Sequence, residues 1–329
     1  MVRITVSQIS LYREIMKDIG GKTFVILPAK SGSVYEGLRA LWLDTFGDLP
    51  EHVDAFYENF GDDIRGYAMV DEAGKVCSAL TCHLCGEYEG RPVYVSYAVC
   101  TRRDIRGHGL AAELVSTVRD EVIEAGGISI ISPAEPSLVQ YYAKFGYEPH
   151  FFMAEKTVMS PEFDEEEFDE LEGFEEFGDP DAPPLRAEFD LEPLTPEQYN
   201  EYREAFLAGR PHIKPTAAML RVMQAESLNG RGMYSVNRGD AICIVGDVSP
   251  ERVALTELII NPALQELSAD IDAEIASLAA KRFGAAEAVF ITPGGGTCQG
   301  MTCGLTAENK SEAGSEDICG EPYYGFPIP

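Results

Sequence analysis

The chain is short of positive charge. Its 329 residues hold 26 Lys and Arg against 55 Asp and Glu, a formal charge of −29. A nucleic-acid binder needs a basic face to release phosphate counterions, and a protein docking on an anionic membrane needs one too. The charge balance argues against both, and leaves open a soluble protein with a neutral or cationic substrate. Long apolar runs are missing as well: no stretch of about 18 apolar residues occurs, so no spanning helix is expected. The opening Met1-Val2-Arg3-Ile4-Thr5-Val6-Ser7-Gln8 lacks the apolar stretch of a signal peptide. Eight cysteines over this length are too sparse for a disulfide scaffold, and a reducing cytoplasm is the expected compartment. A Gly-x-Ser-x-Gly elbow, the mark of many serine hydrolases, is also absent.

Apolar residues make up 45% of the chain, enough for two cores, and at roughly 150 residues per domain two domains are expected. The acidic residues are unevenly placed. Between Pro161 and Pro184 there are twelve and no basic one. Such a block repels itself and tends toward a solvated linker. Interleaved Phe163, Phe168, Leu171, Phe174 and Phe177 exceed what a linker needs, so a segment docked by its aromatics is the alternative. The domains therefore read as an arm over 1–22, a first domain over 23–160, an acidic linker over 161–184 and a second domain over 185–329.

Strand and helix alternate on both sides of the acidic block. In the first part, residues 23–27, 65–70, 75–85, 93–100, 128–131 and 147–158 read as strands. Residues 34–46 carry Val34, Leu38, Leu41, Trp42 and Phe46 at helical spacing. A second helix is expected over 53–60, a long one over 110–125 ended by Gly126-Gly127, and another over 137–145 stopped by Gly146. The second part repeats the grammar, with helices over 199–208, 216–226 and 269–283 and strands over 233–237, 241–245, 252–260 and 287–291. The fold class is α/β, with a mixed sheet.

The sharpest local feature is Arg106-Gly107-His108-Gly109-Leu110-Ala111, between a strand and the long helix. Small residues let backbone approach a ligand, and the free N–H groups of a first helical turn attract an anion. A plain turn with glycines for geometry is the alternative. No Gly-Lys-Ser/Thr follows, so the loop is not a Walker A; its third glycine is missing, so it is not a dinucleotide fingerprint.

Residues 23–150 resemble the GNAT acyltransferase superfamily. Arg106, Gly109 and Ala111 fill its Arg/Gln-x-x-Gly-x-Gly/Ala loop. Tyr97-Ala98-Val99-Cys100-Thr101 is similar to its cofactor strand, and Gln140-Tyr141-Tyr142-Ala143-Lys144-Phe145-Gly146-Tyr147 to its Tyr-x-x-x-Gly-Phe/Tyr signature. The resemblance implies an N-acyltransferase that moves the acetyl group of acetyl-CoA to a small-molecule or peptide amine by direct attack. It implies that the backbone of Val99, Cys100 and Thr101 binds the pantetheine arm. It implies that Arg106, Gly107, His108, Gly109, Leu110, Ala111 and Ala112 hold the pyrophosphate, and that Tyr142 faces the departing sulfur. An aromatic wedge is the structural alternative for Tyr142. The family often carries a Glu on the cofactor strand; here Tyr94, Val95, Ser96 and Tyr97 stand there, so the base is open among Glu135, Glu36, His83 and a water relay.

Cys82-His83-Leu84-Cys85 invites a metal reading, but the two thiols fall on opposite faces of a strand and no second pair follows at zinc spacing; no metal is expected. Residues 188–329 resemble the C-terminal half of tandem GNAT proteins. Where the pyrophosphate loop would fall stands Asn261-Pro262-Ala263-Leu264-Gln265-Glu266, without glycine or arginine. A degenerate copy follows from that resemblance, shaping the acceptor cleft or an oligomer contact such as a homodimer's; an unrelated α+β domain is the alternative. The rivals to an enzyme are a silent acyl-CoA-binding or sensor protein, and an interaction module that uses the acidic-aromatic segment.

Overall fold

The computed structural model describes residues 15–19, 21–161, 189–226, 232–265, 268, 270–294, 297–305 and 322–325. Nearly all of the acidic segment, and most of the expected arm over 1–22, lie outside these. The described residues form two compact units. The first draws on Met1–Met153, Leu207–Met223 and Gly294–Pro327; the second draws on Ala154–Phe206 and Gln224–Pro293.

The first unit opens with β1 (Ile15–Ile19), paired antiparallel to β2 (Lys22–Ala29) in the register Ile15↔Ile26. An arm was expected up to residue 22; instead the chain doubles back near Gly21, whose φ of +75° suits a tight reversal. Helices α1 (Gly32–Phe46) and α2 (Pro50–Phe60) follow. Strands β3 (Ile64–Val70), β4 (Val76–Tyr88) and β5 (Arg91–Thr101) extend the meander antiparallel. Helix α3 (Leu110–Glu124) then crosses to β6 (Ile128–Ile131), which runs parallel to β5, and α4 (Pro136–Ala143) leads to β7 (Glu148–Met159).

Two cores flank this sheet. On one face α3 and α4 bury Leu110, Leu114, Val118 and Tyr142 against Phe24, Met69, Leu80, Cys82 and Tyr94. On the other, Trp42 of α1 and Phe56 of α2 stack edge-on and face-on with Tyr97 of β5.

The second half also contributes to this unit, which the expected boundary at 185 did not foresee. Strand β14 (Thr297–Cys303) lies between β6 and β7, antiparallel to both. The two-residue strand β9 (Lys214–Pro215) pairs with Gly86 and Glu87 of β4. A Cβ on Gly86 would stand 2.3 Å from the Lys214 carbonyl oxygen, so only glycine lets this backbone come so close.

In the second unit, β8 (Leu191–Pro193), β10 (Gly232–Val236), β11 (Ala241–Val248) and β12 (Arg252–Ile260) pair antiparallel. Helix α5 (Pro196–Phe206) follows β8 along the chain, whereas α6 (Ala217–Glu226) belongs to the first unit as far as Met223. After β12 comes the single turn α7 (Pro262–Gln265), then α8 (Ile271–Phe283) crosses to β13 (Glu287–Pro293), parallel to β12. Ile275, Ala276, Ala279 and Ala280 of α8 pack on Val253, Leu255 and Phe290. Among the described residues no helix is long and apolar enough to cross a membrane.

Candidate active site

The pairing of β5 with β6 stops at Val95↔Ile130. Past that point β5 keeps only its β4 neighbour, and even there the ladder breaks. Ala79 pairs with Cys100 and Thr81 with Tyr97, so Leu80 faces two residues, Ala98 and Val99. This is a β-bulge, and Ala98 takes φ +52° to make it. A left-handed alanine costs roughly 1–2 kcal/mol. Such strain gathers at functional positions. The bulge turns the backbone of Ala98 and Val99 out of the ladder, on the strand that parts from β6.

The neighbouring carbonyls are engaged. The Ser78 hydroxyl donates to the Cys100 carbonyl at 2.9 Å, and the Arg106 Nε donates to the Thr101 carbonyl at 2.9 Å. Arg106 thus ties the start of the glycine loop to the end of β5. The Cys100 thiol contacts the Ala79 carbonyl, and burial pushes it up to about 12, so it stays a neutral thiol.

Residues 106–109 are exposed, and Gly107 and Gly109 sit at φ +81° and +84°. Gly109 is the N-cap of α3, and the first turn closes with the Glu113 N–H donating to its carbonyl. The amides of Leu110, Ala111 and Ala112 therefore have no partner within the helix, and face the loop with the positive end of a 15-residue dipole. No Cβ clash bars substitution at either glycine; the left-handed φ is what demands the residue.

Tyr142 lies near the end of α4, buried in the core that holds Leu110 and Leu114 of α3. Its ring meets Tyr141 at 5.2 Å and Tyr147 at 6.3 Å, and burial pushes its hydroxyl up to about 12. Its hydroxyl therefore stays protonated throughout the physiological range.

The base candidates fare differently. Glu36 is exposed on α1, and Glu135 is exposed at the N-cap of α4 with the Ser137 hydroxyl donating to it at 3.3 Å. His83 is 0% exposed and enclosed by Phe56, Phe60 and Tyr97. A substrate amine cannot reach it, which removes it as a base. Cys82 points into the α3 core, whereas His83 points to the α2 face, so the pair does not converge on an ion.

Neither ring nitrogen of His83 has a hydrogen-bond partner, and desolvation lowers its pKa to about 3. The unfolded chain therefore binds a proton on this residue between about pH 6.5 and 3 that the folded chain refuses. Stability falls as pH drops through that window. In denaturant titrations from pH 7 to 4, His83→Phe is expected to flatten part of this decline; an unchanged slope would show that the imidazole is paired in solution.

Two residues near the end of β6 were given no role by the sequence. Ser132 is exposed just past β6, where that strand parts from β5, and Tyr324, carried in by the C-terminal segment, is buried beside it.

Residues 33–147 match the sequence model of the acetyltransferase (GNAT) family, and the chain carries a GNAT acetyltransferase domain there. The co-substrate of that family is an acyl-CoA. No curated protein matches the chain. The fold is similar to that of a probable N-acyltransferase from Enterococcus faecalis V583. That likeness has 12% identity and a TM-score of 0.58, and covers 84% of this chain and 72% of that one. A GCN5-related N-acetyltransferase from Anabaena variabilis ATCC 29413 is similar at 15% identity and TM-score 0.56, covering 81% of this chain and 65% of that one. One from Kribbella flavida is similar at 12% identity and TM-score 0.53, covering 82% of this chain and 64% of that one. The chain thus spans a little under two thirds of the length of these last two proteins.

Proposed function

We propose that the first unit transfers the acetyl group of acetyl-CoA to an amine by direct attack within a ternary complex. The observation that carries this is the bulged edge of β5, open past Val95 and leading straight to the exposed loop at the N-terminus of α3. The pantetheine arm lies along Val99, Cys100 and Thr101. The amides from Gly107 to Ala112 bind the pyrophosphate, with Arg106 holding the loop in place. The backbone N–H at the bulge meets the oxyanion as the amine adds. Tyr142 donates to the sulfur as it leaves. The amine's proton passes to water or to an exposed carboxylate such as Glu135.

An amine acceptor suits a chain of charge −29, because such a field attracts cations. The second unit reads as a copy whose β12–α8–β13 crossover keeps the pattern of β5–α3–β6 while losing the glycine loop. Pro262 there also lacks an amide proton. A cytoplasmic location follows from the sparse cysteines of the sequence.

The test is calorimetric titration of acetyl-CoA into wild type and Gly109→Glu. Wild type is expected to bind. The variant, with bulk and negative charge against the pyrophosphate, is expected to lose at least 100-fold in affinity. Gly109→Ala carries the same backbone strain without the charge and separates the two causes. Equal binding by wild type and Gly109→Glu would move the cofactor elsewhere.

The lack of any carboxylate on β5 favours a second reading, an acyl-CoA-binding protein without turnover. Thiol release from acetyl-CoA with a panel of amines distinguishes it: binding without release supports the sensor.

A further inference from the structure

An arm running along β5 from the glycine loop points its thioester at the place where β5 and β6 part, next to Val95 and Ile130. Whatever fills that apex meets the acyl group. Three side chains gather there. Tyr97 of β5 is half-buried, Ser132 just past β6 is exposed, and Tyr324 is 1% exposed. The Tyr324 hydroxyl lies beside the Cys85 thiol on β4 and the Ser132 side chain. Its ring packs 6.0 Å from that of Phe151 on β7. One side chain therefore stands beside both β4 and the end of β6. Exposure falls from Ser132 to the buried Tyr324.

The backbone behind the ring is held on both sides. The Phe152 N–H donates to the Pro322 carbonyl at 3.0 Å, and the Tyr323 N–H to the Pro211 carbonyl at 2.9 Å. The Ile213 N–H donates to the Tyr323 carbonyl at 3.2 Å, and the Gly325 N–H to the Gln299 side-chain oxygen at 3.1 Å. A residue anchored in this way cannot swing aside without breaking several backbone bonds. Its hydroxyl is buried and bonded, so displacing it also strands polar groups.

We propose that Tyr324 is the floor of the acyl subsite and restricts the co-substrate to short acyl groups. This deepens the acyl-CoA reading above and rests on it. Acetyl fits above the ring; a longer chain collides with it. The residue is a specificity determinant and takes no proton.

The test measures binding of acetyl-, butyryl- and hexanoyl-CoA, with free CoA as the reference, to wild type, Tyr324→Phe, Tyr324→Leu and Tyr324→Ala. Each variant is first checked for a cooperative melt. Wild type is expected to bind acetyl-CoA at least 10-fold more tightly than hexanoyl-CoA. Tyr324→Phe keeps the ring and is expected to keep most of that ratio. Tyr324→Leu and Tyr324→Ala are expected to raise hexanoyl-CoA affinity at least 10-fold while leaving free CoA unchanged. The proposal is overturned by a wild type that takes hexanoyl-CoA as well as acetyl-CoA, whatever the variants do. It is equally overturned by folded Leu or Ala variants that keep the wild-type ratio. If wild type binds neither acetyl-CoA nor free CoA, the acyl-CoA reading itself fails, an outcome distinct from the other two.

Discussion

Tyr142→Phe is expected to lower the rate of thiol release about 100-fold while leaving acyl-CoA affinity within two-fold of wild type. The size follows from losing one positioned hydrogen-bond donor to developing negative charge, typically about 10²–10³-fold. The ring stays, so the packing against Tyr141, Tyr147 and the α3 core stays with it. The chemistry of the hydroxyl is narrowed by its environment. Burial holds it near 12, against about 8.5 for an ordinary thiol. Handing a full proton to the leaving thiolate would be uphill by about 5 kcal/mol. A hydrogen bond that strengthens as negative charge develops on sulfur stabilises the transition state without that transfer. The pH–rate profile should accordingly show no tyrosine ionisation below pH 10. Steady-state kinetics with the best amine from the panel provides the check. A Phe variant with kcat within two-fold of wild type would leave Tyr142 as a wedge alone.

The second large effect is on stability. Arg203→Met is expected to destabilise the second unit by about 3–5 kcal/mol. Arg203 and Glu257 are both fully buried, with Arg203 Nε donating to Glu257 Oε1 at 3.3 Å and the Tyr199 hydroxyl donating to Oε2 at 2.6 Å. Removing the guanidinium leaves a carboxylate in an apolar interior, where desolvation is costly. Methionine fills most of the vacated volume, so the loss reports charge more than packing. Urea unfolding of the full chain, followed by a probe in each unit because two units need not melt together, measures it. The double change Arg203→Met with Glu257→Leu should recover most of the loss, since an apolar replacement of both partners is often neutral. A single variant within 1 kcal/mol of wild type would show that Glu257 finds other compensation.

Much of the local architecture was legible in the sequence. Apolar spacing marked α1 and α3, and the glycines at 126 and 146 take the left-handed φ that ends or follows a helix. The alternating, β-branched run ending at Cys100 marked β5, and the glycine loop after it marked the start of α3. These signals are local, because periodicity and backbone preference are written within a few residues of where they act.

Tertiary structure decided the rest. Ile15–Ile19, read as part of an arm, is a strand because β2 offers it an edge. Thr297–Cys303 has a weak apolar pattern of its own, yet it enters the first sheet between β6 and β7, some 150 residues away in sequence from both. The bulge at Ala98 depends on the register with β4, which no single strand records. His83 sits on a strand that spells a metal motif, but the faces of that strand send its neighbour Cys82 to the opposite core. Tyr324 is one of 15 tyrosines until the chain returns it to the gap between β5 and β6. The sequence by itself determined most helices, the strands with strong apolar patterns, and the glycine turn that opens α3. Which strands become neighbours, and which side chains meet at the parting of β5 and β6, depended on long-range pairing, because burial rewards contacts between residues that local pattern cannot relate.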